Sequence, residues 1–113
     1  MRPVFVFVLA ASSLWGCAEQ IPDHVELLPQ AETVEFATEP PSANTFKLVG
    51  EVHGEAAARD VDTAQQAARN DLRNKAAALG ASLVTIDEDV GESLLLQEKT
   101  KVKLVGRAYK SVD

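Results

Sequence analysis

The sequence predicts an α+β fold: one small domain of βαββ type, with one main helix packed on an antiparallel or mixed sheet. Three observations carry that expectation. Val61, Ala64, Ala68, Leu72, Ala76 and Leu79 recur at spacings of three and four, which draws one apolar stripe along a helix. Residues 45–53 and 100–110 alternate in the period-two manner of strands. Gly80 then stops the helix, and Leu83, Val84 and Ile86 follow as a buried strand. A chain of 113 residues has room for one such domain.

Composition narrows the function classes. With aromatics at 5%, the core must be built from Val, Leu, Ile and Ala. A net charge of −6 argues against nucleic acid as a partner, because that ligand needs a basic footprint. The charges are unevenly placed. Acids dominate from Glu19 to Asp62, while Lys99, Lys101, Lys103, Arg107 and Lys110 make the last stretch basic.

In chain order, Met1-Arg2 is a positive start and residues 4–11 are an unbroken apolar run, the pattern of a secretory signal too short to remain as a membrane span. Leu14-Trp15-Gly16-Cys17 follows. It resembles the lipobox of bacterial lipoproteins, with Leu14 three residues before the cysteine, Gly16 immediately before it, and Cys17 as the residue that is lipidated; Trp15 is bulkier than that position usually carries. Cys17 is the only cysteine in the chain, so it has no disulfide partner, and lipidation gives it a use. The expected organisation is a signal peptide at 1–16, a lipidated N-terminus and tether at 17–32, and the domain at 33–113. Ala18, not Asp, follows the cysteine, which by resemblance to enterobacterial lipoproteins favours the periplasmic face of the outer membrane.

Within the domain the expected elements run as follows. Residues 25–28 read as a short strand ended by Pro29, and residues 33–37 as a strand with Val34 and Phe36 on one side. Residues 39–44 are a loop by composition. In residues 45–53, Phe46, Leu48, Gly50 and Val52 share the apolar face, with Gly50 marking a close approach of the helix; residues 54–59 are the crossover loop. Asp60 or Asp62 caps the helix, and Asp71 precedes Lys75 by four, a favourable order for an ion pair. Residues 81–87 form the next strand, 87–92 an acidic turn, and Leu94 opens a hairpin arm. In the last strand Val102, Leu104, Gly106 and Ala108 form one face, and Lys101, Lys103, Val105, Arg107 and Tyr109 the other.

Three segments carry a family resemblance: residues 46–54, residues 67–84, and Val105-Gly106-Arg107-Ala108-Tyr109. The spaced set Asn70, Arg73, Asn74, Ala76, Gly80 and Ala81 is its most specific part. The chain resembles a group of small bacterial envelope lipoproteins of unknown function, itself similar to the periplasmic domain of RcsF, the outer-membrane stress-sensor lipoprotein of the Rcs phosphorelay. The resemblance implies an envelope address and, as an alternative function, a component that senses envelope stress. Members of that group usually carry extra cysteines within the domain. This chain has none after Cys17, so thiol-based sensing is not expected of it.

Candidate sites follow from side-chain chemistry. His24 and His53 are the only imidazoles, and their spacing suggests no catalytic pair, so no catalytic residue, enzyme activity or cofactor is expected. Asp87, Asp89 and Glu92 are hard oxygen ligands suited to a cation, yet counted from Asp87 the glycine of an EF-hand loop falls at the wrong position; a solvated turn is the plainer reading, and no metal is expected. Arg69 and Arg73 stand one helical turn apart, and Lys101, Lys103 and Arg107 line one face of the last strand beside Tyr109. These six are the candidate partner-binding residues, against the alternative that the lysines guard a strand edge. The expectation is a lipid-anchored envelope protein without enzymatic activity that acts by protein interaction in the periplasm; a small ligand- or metal-binding lipoprotein is the lesser alternative.

Overall fold

The computed structural model describes Pro22 and residues 24–112. The lipobox residues Leu14, Gly16 and Cys17 lie outside the described residues.

Four strands and one helix make the domain: β1 (Glu35–Ala37), β2 (Phe46–Ala58), α1 (Val61–Ala78), β3 (Leu83–Leu94) and β4 (Lys99–Ser111), with single 3-10 turns at Pro29–Ala31 and Leu95–Gln97. The sheet order is β1-β3-β4-β2. β1 runs parallel to β3, and the other neighbours are antiparallel, so the sheet is mixed and the class α+β, as expected. The helix covers one face of this sheet.

The helix forms for the reasons its sequence states. The Asp60 carboxylate caps it, accepting from the Thr63 N–H at 3.0 Å and the Thr63 hydroxyl at 2.7 Å. Gly80, with φ of 79°, supplies the left-handed stop. Ala64, Ala67, Ala68, Leu72 and Ala76 are buried on its inner stripe, while Val61 and Leu79 at its two ends are half exposed. Opposite them the core takes Val34, Val52, Ala56, Val84, Val102, Leu104 and Ala108.

The strands depart from expectation in four places. β2 does not end at His53. It continues through Ala58, so residues 54–58 are strand, and only Arg59 and Asp60 connect it to α1. Its register shifts between Leu48 and Gly50, a bulge that turns Leu48 outward and Val49 toward the core. The acidic stretch is likewise strand: β3 runs to Leu94, with its own register shift between Ile86 and Glu88, and the chain reverses at Leu95–Gln97 instead. Finally, residues 25–28 form no strand. They lie as an extended strap on the outer side of α1, leading into the Pro29–Ala31 turn.

The close approach of helix to sheet falls at Gly54, not Gly50. A Cβ on Gly54 would meet the Ala68 carbonyl and, at 2.9 Å, the Leu72 Cβ and N, whereas one on Gly50 would only touch Leu79 at 3.4 Å. Gly106 is small for another reason: its Cβ would collide with the Thr85 carbonyl of neighbouring β3. The helix therefore rests on backbone at Gly54, and the alanine stripe lets it do so.

Candidate functional site

β4, which carries most of the candidate cations, is a central strand flanked by β3 and β2. Its lysines therefore guard no edge. β2 forms one edge of the sheet, and three of its outward-facing backbone groups are covered. Lys75 Nζ donates to the His53 carbonyl at 2.9 Å, Asp71 accepts the Glu55 N–H at 3.0 Å, and the Ala57 N–H donates to the Pro22 carbonyl at 2.9 Å. Asp71 and Lys75 also pair with each other at 3.2 Å, as their spacing predicts. One helical ion pair thus closes two backbone groups that would otherwise invite a foreign strand.

On the sheet face away from the helix, the charges interleave. Arg107 grips Asp87 with Nε to Oδ2 at 2.9 Å and Nη2 to Oδ1 at 3.3 Å, and the buried Thr85 hydroxyl donates to the same carboxylate at 3.3 Å. That partner raises the Arg107 pKa above its ordinary value, chiefly through the hydrogen bonds. The bulge at Ile86/Glu88 is what brings Asp87 beside Arg107. Lys101 reaches Glu55 at 3.5 Å, and Lys103 stands exposed between Glu55 and Val90 in register. Tyr109 was expected on the presented face beside Arg107. It is on that side of β4, but only 7% exposed, set in register between Leu48 of β2 and Leu83 of β3. A buried ring presents little to a partner.

The helix arginines are drawn into the fold. Arg73 Nε donates to the Val34 carbonyl and Nη2 to the Glu32 carbonyl, each at 3.0 Å. Its guanidinium lies 5.7 Å from the Phe36 ring centroid, and that of Arg69 lies 5.0 Å from the same ring. Asn70 and Asn74 continue the row. Asn70 Nδ2 donates to the Val25 carbonyl at 2.9 Å; Asn74 Nδ2 donates to the Glu26 carbonyl and its Oδ1 accepts the Leu28 N–H, both at 2.9 Å. Asn70 and Asn74 thus fasten the strap, which the sequence reads as a short strand, and Arg73 fastens the segment that follows it. The signal for it was present in the sequence: three hydrogen-bonding side chains at i, i+3 and i+4 share one helix face. Their partners are backbone atoms, which no residue pattern names.

Two of the three acidic candidates are also engaged. Asp87 is held by Arg107, and Asp89 accepts from Gln65 Nε2 at 3.0 and 3.2 Å. Among the described residues no group of three or more His, Cys, Asp or Glu side chains converges to hold a metal ion. Each histidine sits beside its own acid, His24 at 3.8 Å from Glu26 and His53 at 3.5 Å from Glu51. A groove of about 310 Å³ opens between the strap and the first half of α1, lined by His24, Val25, Thr63, Gln66 and Asn70 among others. Its one buried wall residue is Ala67. No helix among the described residues is long and apolar enough to cross a membrane.

The molecule is thus a one-helix, four-strand α+β domain with a strap bound across its helix. It belongs to the family described as a domain of unknown function, DUF4156, whose model matches residues 25–111. That span opens on the strap residue held by Asn70 and closes on the last residue of β4. No curated protein matches the chain.

Proposed function

We propose that this is a lipid-anchored protein of the bacterial cell envelope, held through Cys17 on the periplasmic face of the outer membrane and acting by protein interaction instead of catalysis. The observation that carries the reading is the run from the apolar residues 4–11 into Leu14-Trp15-Gly16-Cys17, with the cysteine alone of its kind in the chain. The geometry is compatible with it. The chain enters the domain at Pro22, pinned to the edge of β2, so an anchor at Cys17 would be joined to the fold by a few residues only. Of the candidate cations on β4, Lys103 keeps exposed charge for a partner, as Arg107 and Lys101 do in part. A role in sensing envelope stress, as the resemblance to RcsF implies, is one form the same interaction would take.

Metabolic labelling with palmitate, combined with Cys17→Ala, tests the anchor. Label on the parent chain, lost together with membrane retention in the variant, is the expected result. Membrane retention of an unlabelled variant would refute the anchor. Cross-linking in intact cells from Lys103 tests the interaction, and a recurrent absence of any specific product would count against it.

A further inference from the structure

The β3–β4 turn ends in two leucines with nothing over them: Leu95 is 81% exposed and Leu96 is 96% exposed, more than any other large apolar side chain described. Isolated exposed leucines are ordinary, but an adjacent pair at the tip of a hairpin is a concentrated apolar feature. The turn itself is held in shape by Glu98 in the left-handed region, φ 57°, whose N–H returns to the Leu95 carbonyl.

The register fixes where the chain enters relative to this tip. Pro22 bonds Ala57, Ala57 stands opposite Lys101 of β4, and Leu94 stands opposite Lys99, where the turn begins. From Lys101 to Lys99 is about 7 Å along the strand. The other end of the sheet, at Phe46 and Ser111, lies about 37 Å from Ala57 along β2. Cys17 precedes Pro22 by five residues, which reach at most about 17 Å when extended. A membrane holding Cys17 therefore comes within reach of the Leu95-Leu96 end, whereas the opposite end meets it only if the whole sheet lies flat on the surface. Val61, half exposed at the start of α1, is at that same near end.

We infer that the Leu95-Leu96 tip is a second, non-covalent membrane contact that inserts into the lipid surface and sets the domain upright on it. This rests on the lipid-anchor reading of Cys17. The occupant is a lipid surface because the length of chain between anchor and fold brings the membrane there.

The test uses the full lipidated chain in vesicles of phosphatidylethanolamine and phosphatidylglycerol. Leu96→Cys is labelled with an environment-sensitive fluorophore, with Leu48→Cys, half exposed near the far end, as the comparison. Quenchers are attached to the lipid acyl chains. The expected result is severalfold stronger quenching at position 96 than at 48, abolished when Leu95→Asp is added, with the melting temperature unchanged. Equal, weak quenching at both positions, on protein whose Cys17 is blocked by its thioether, overturns the contact while the anchor stands. A free Cys17 thiol that takes up fluorophore overturns both. Burial of the position-96 label in a dimer or in a protein cross-link, with no lipid quenching, assigns the tip to a protein surface and also overturns the inference.

Discussion

Asp71, in the middle of the helix, accepts the outward N–H of Glu55 in the middle of the edge strand at 3.0 Å. One carboxylate therefore ties the helix to the edge strand and covers one of that strand's outward backbone groups. Its partner Lys75 does the same for the His53 carbonyl. The pair was expected as a surface ion pair worth a few tenths of a kcal/mol. Asp71→Ala should cost more, about 1–3 kcal/mol, because it strands a part-buried N–H. Chemical denaturation checks the size, and light scattering on warming should show earlier association through β2. A cost of only a few tenths would mean the edge contact contributes nothing.

Gly54→Ala should destabilise by about 1–3 kcal/mol or more, since the new methyl meets helix backbone that cannot yield without lifting the helix. Gly91→Ala in β3 is the matched comparison, with nothing within 4 Å of its Cβ, and should be neutral. For a domain of this size each kcal/mol moves the melting temperature by about 4–8 °C, so a thermal scan separates the two.

Arg73→Ala removes two hydrogen bonds to the segment between the strap and β1, at Glu32 and Val34, and a contact with Phe36, and should cost about 1–3 kcal/mol. Arg69→Ala loses only its place over Phe36 and should cost about 0.5–1 kcal/mol. Hydrogen exchange distinguishes a local effect from a global one: with Arg73→Ala, protection of the Glu32 and Val34 N–H groups, bonded to the Pro29 and Ala31 carbonyls, should fall further than that of the central amides of β4.

Acid should weaken the start of the helix. Hydrogen bonds from the Thr63 hydroxyl and N–H lower the Asp60 pKa below its ordinary 3.8. A group depressed in the folded state contributes its stability above the unfolded value and loses it as pH falls through the folded one. The Asp60 contribution is therefore whole above about pH 3.8 and declines below it. Melting curves across that range, compared with Asp60→Asn, should show a shallower acid slope in the variant, because an amide caps without titrating.

How far the sequence could be read depended on whether one residue pattern had one physical cause. Helix α1 was legible from cap to stop, because period, Asp60 and Gly80 all state the same thing. The inner face of β4 was legible because Val102, Leu104, Gly106 and Ala108 alternate against polar neighbours. The end of β2 was not: Gly54, Ala56 and Ala58 look like a loop or a helix, yet they are small because a helix lies on them. The acidic residues of β3 hid their strand for a related reason. They have little apolar face to show, and are extended because β4 pairs with them. For the candidate site, the Asp71–Lys75 pair was visible and its backbone partners were not. The helix arginines read as a free cationic face because carbonyl acceptors on residues 32 and 34 leave no trace in composition.

The strap also decides how the domain answers to mechanical load. A pull on the chain ahead of Pro22 does not reach the sheet all at once. It first strains the single bond at Ala57, then the amides of Asn70 and Asn74, then the fork of Arg73, one after another along the helix. Bonds loaded in sequence part at low force, as a zipper does, whereas the long pairing of β2 with β4 shares any load across its length. The domain thus has a peelable outer layer around a core that resists shear, and the first thing tension would expose is the outer surface of α1.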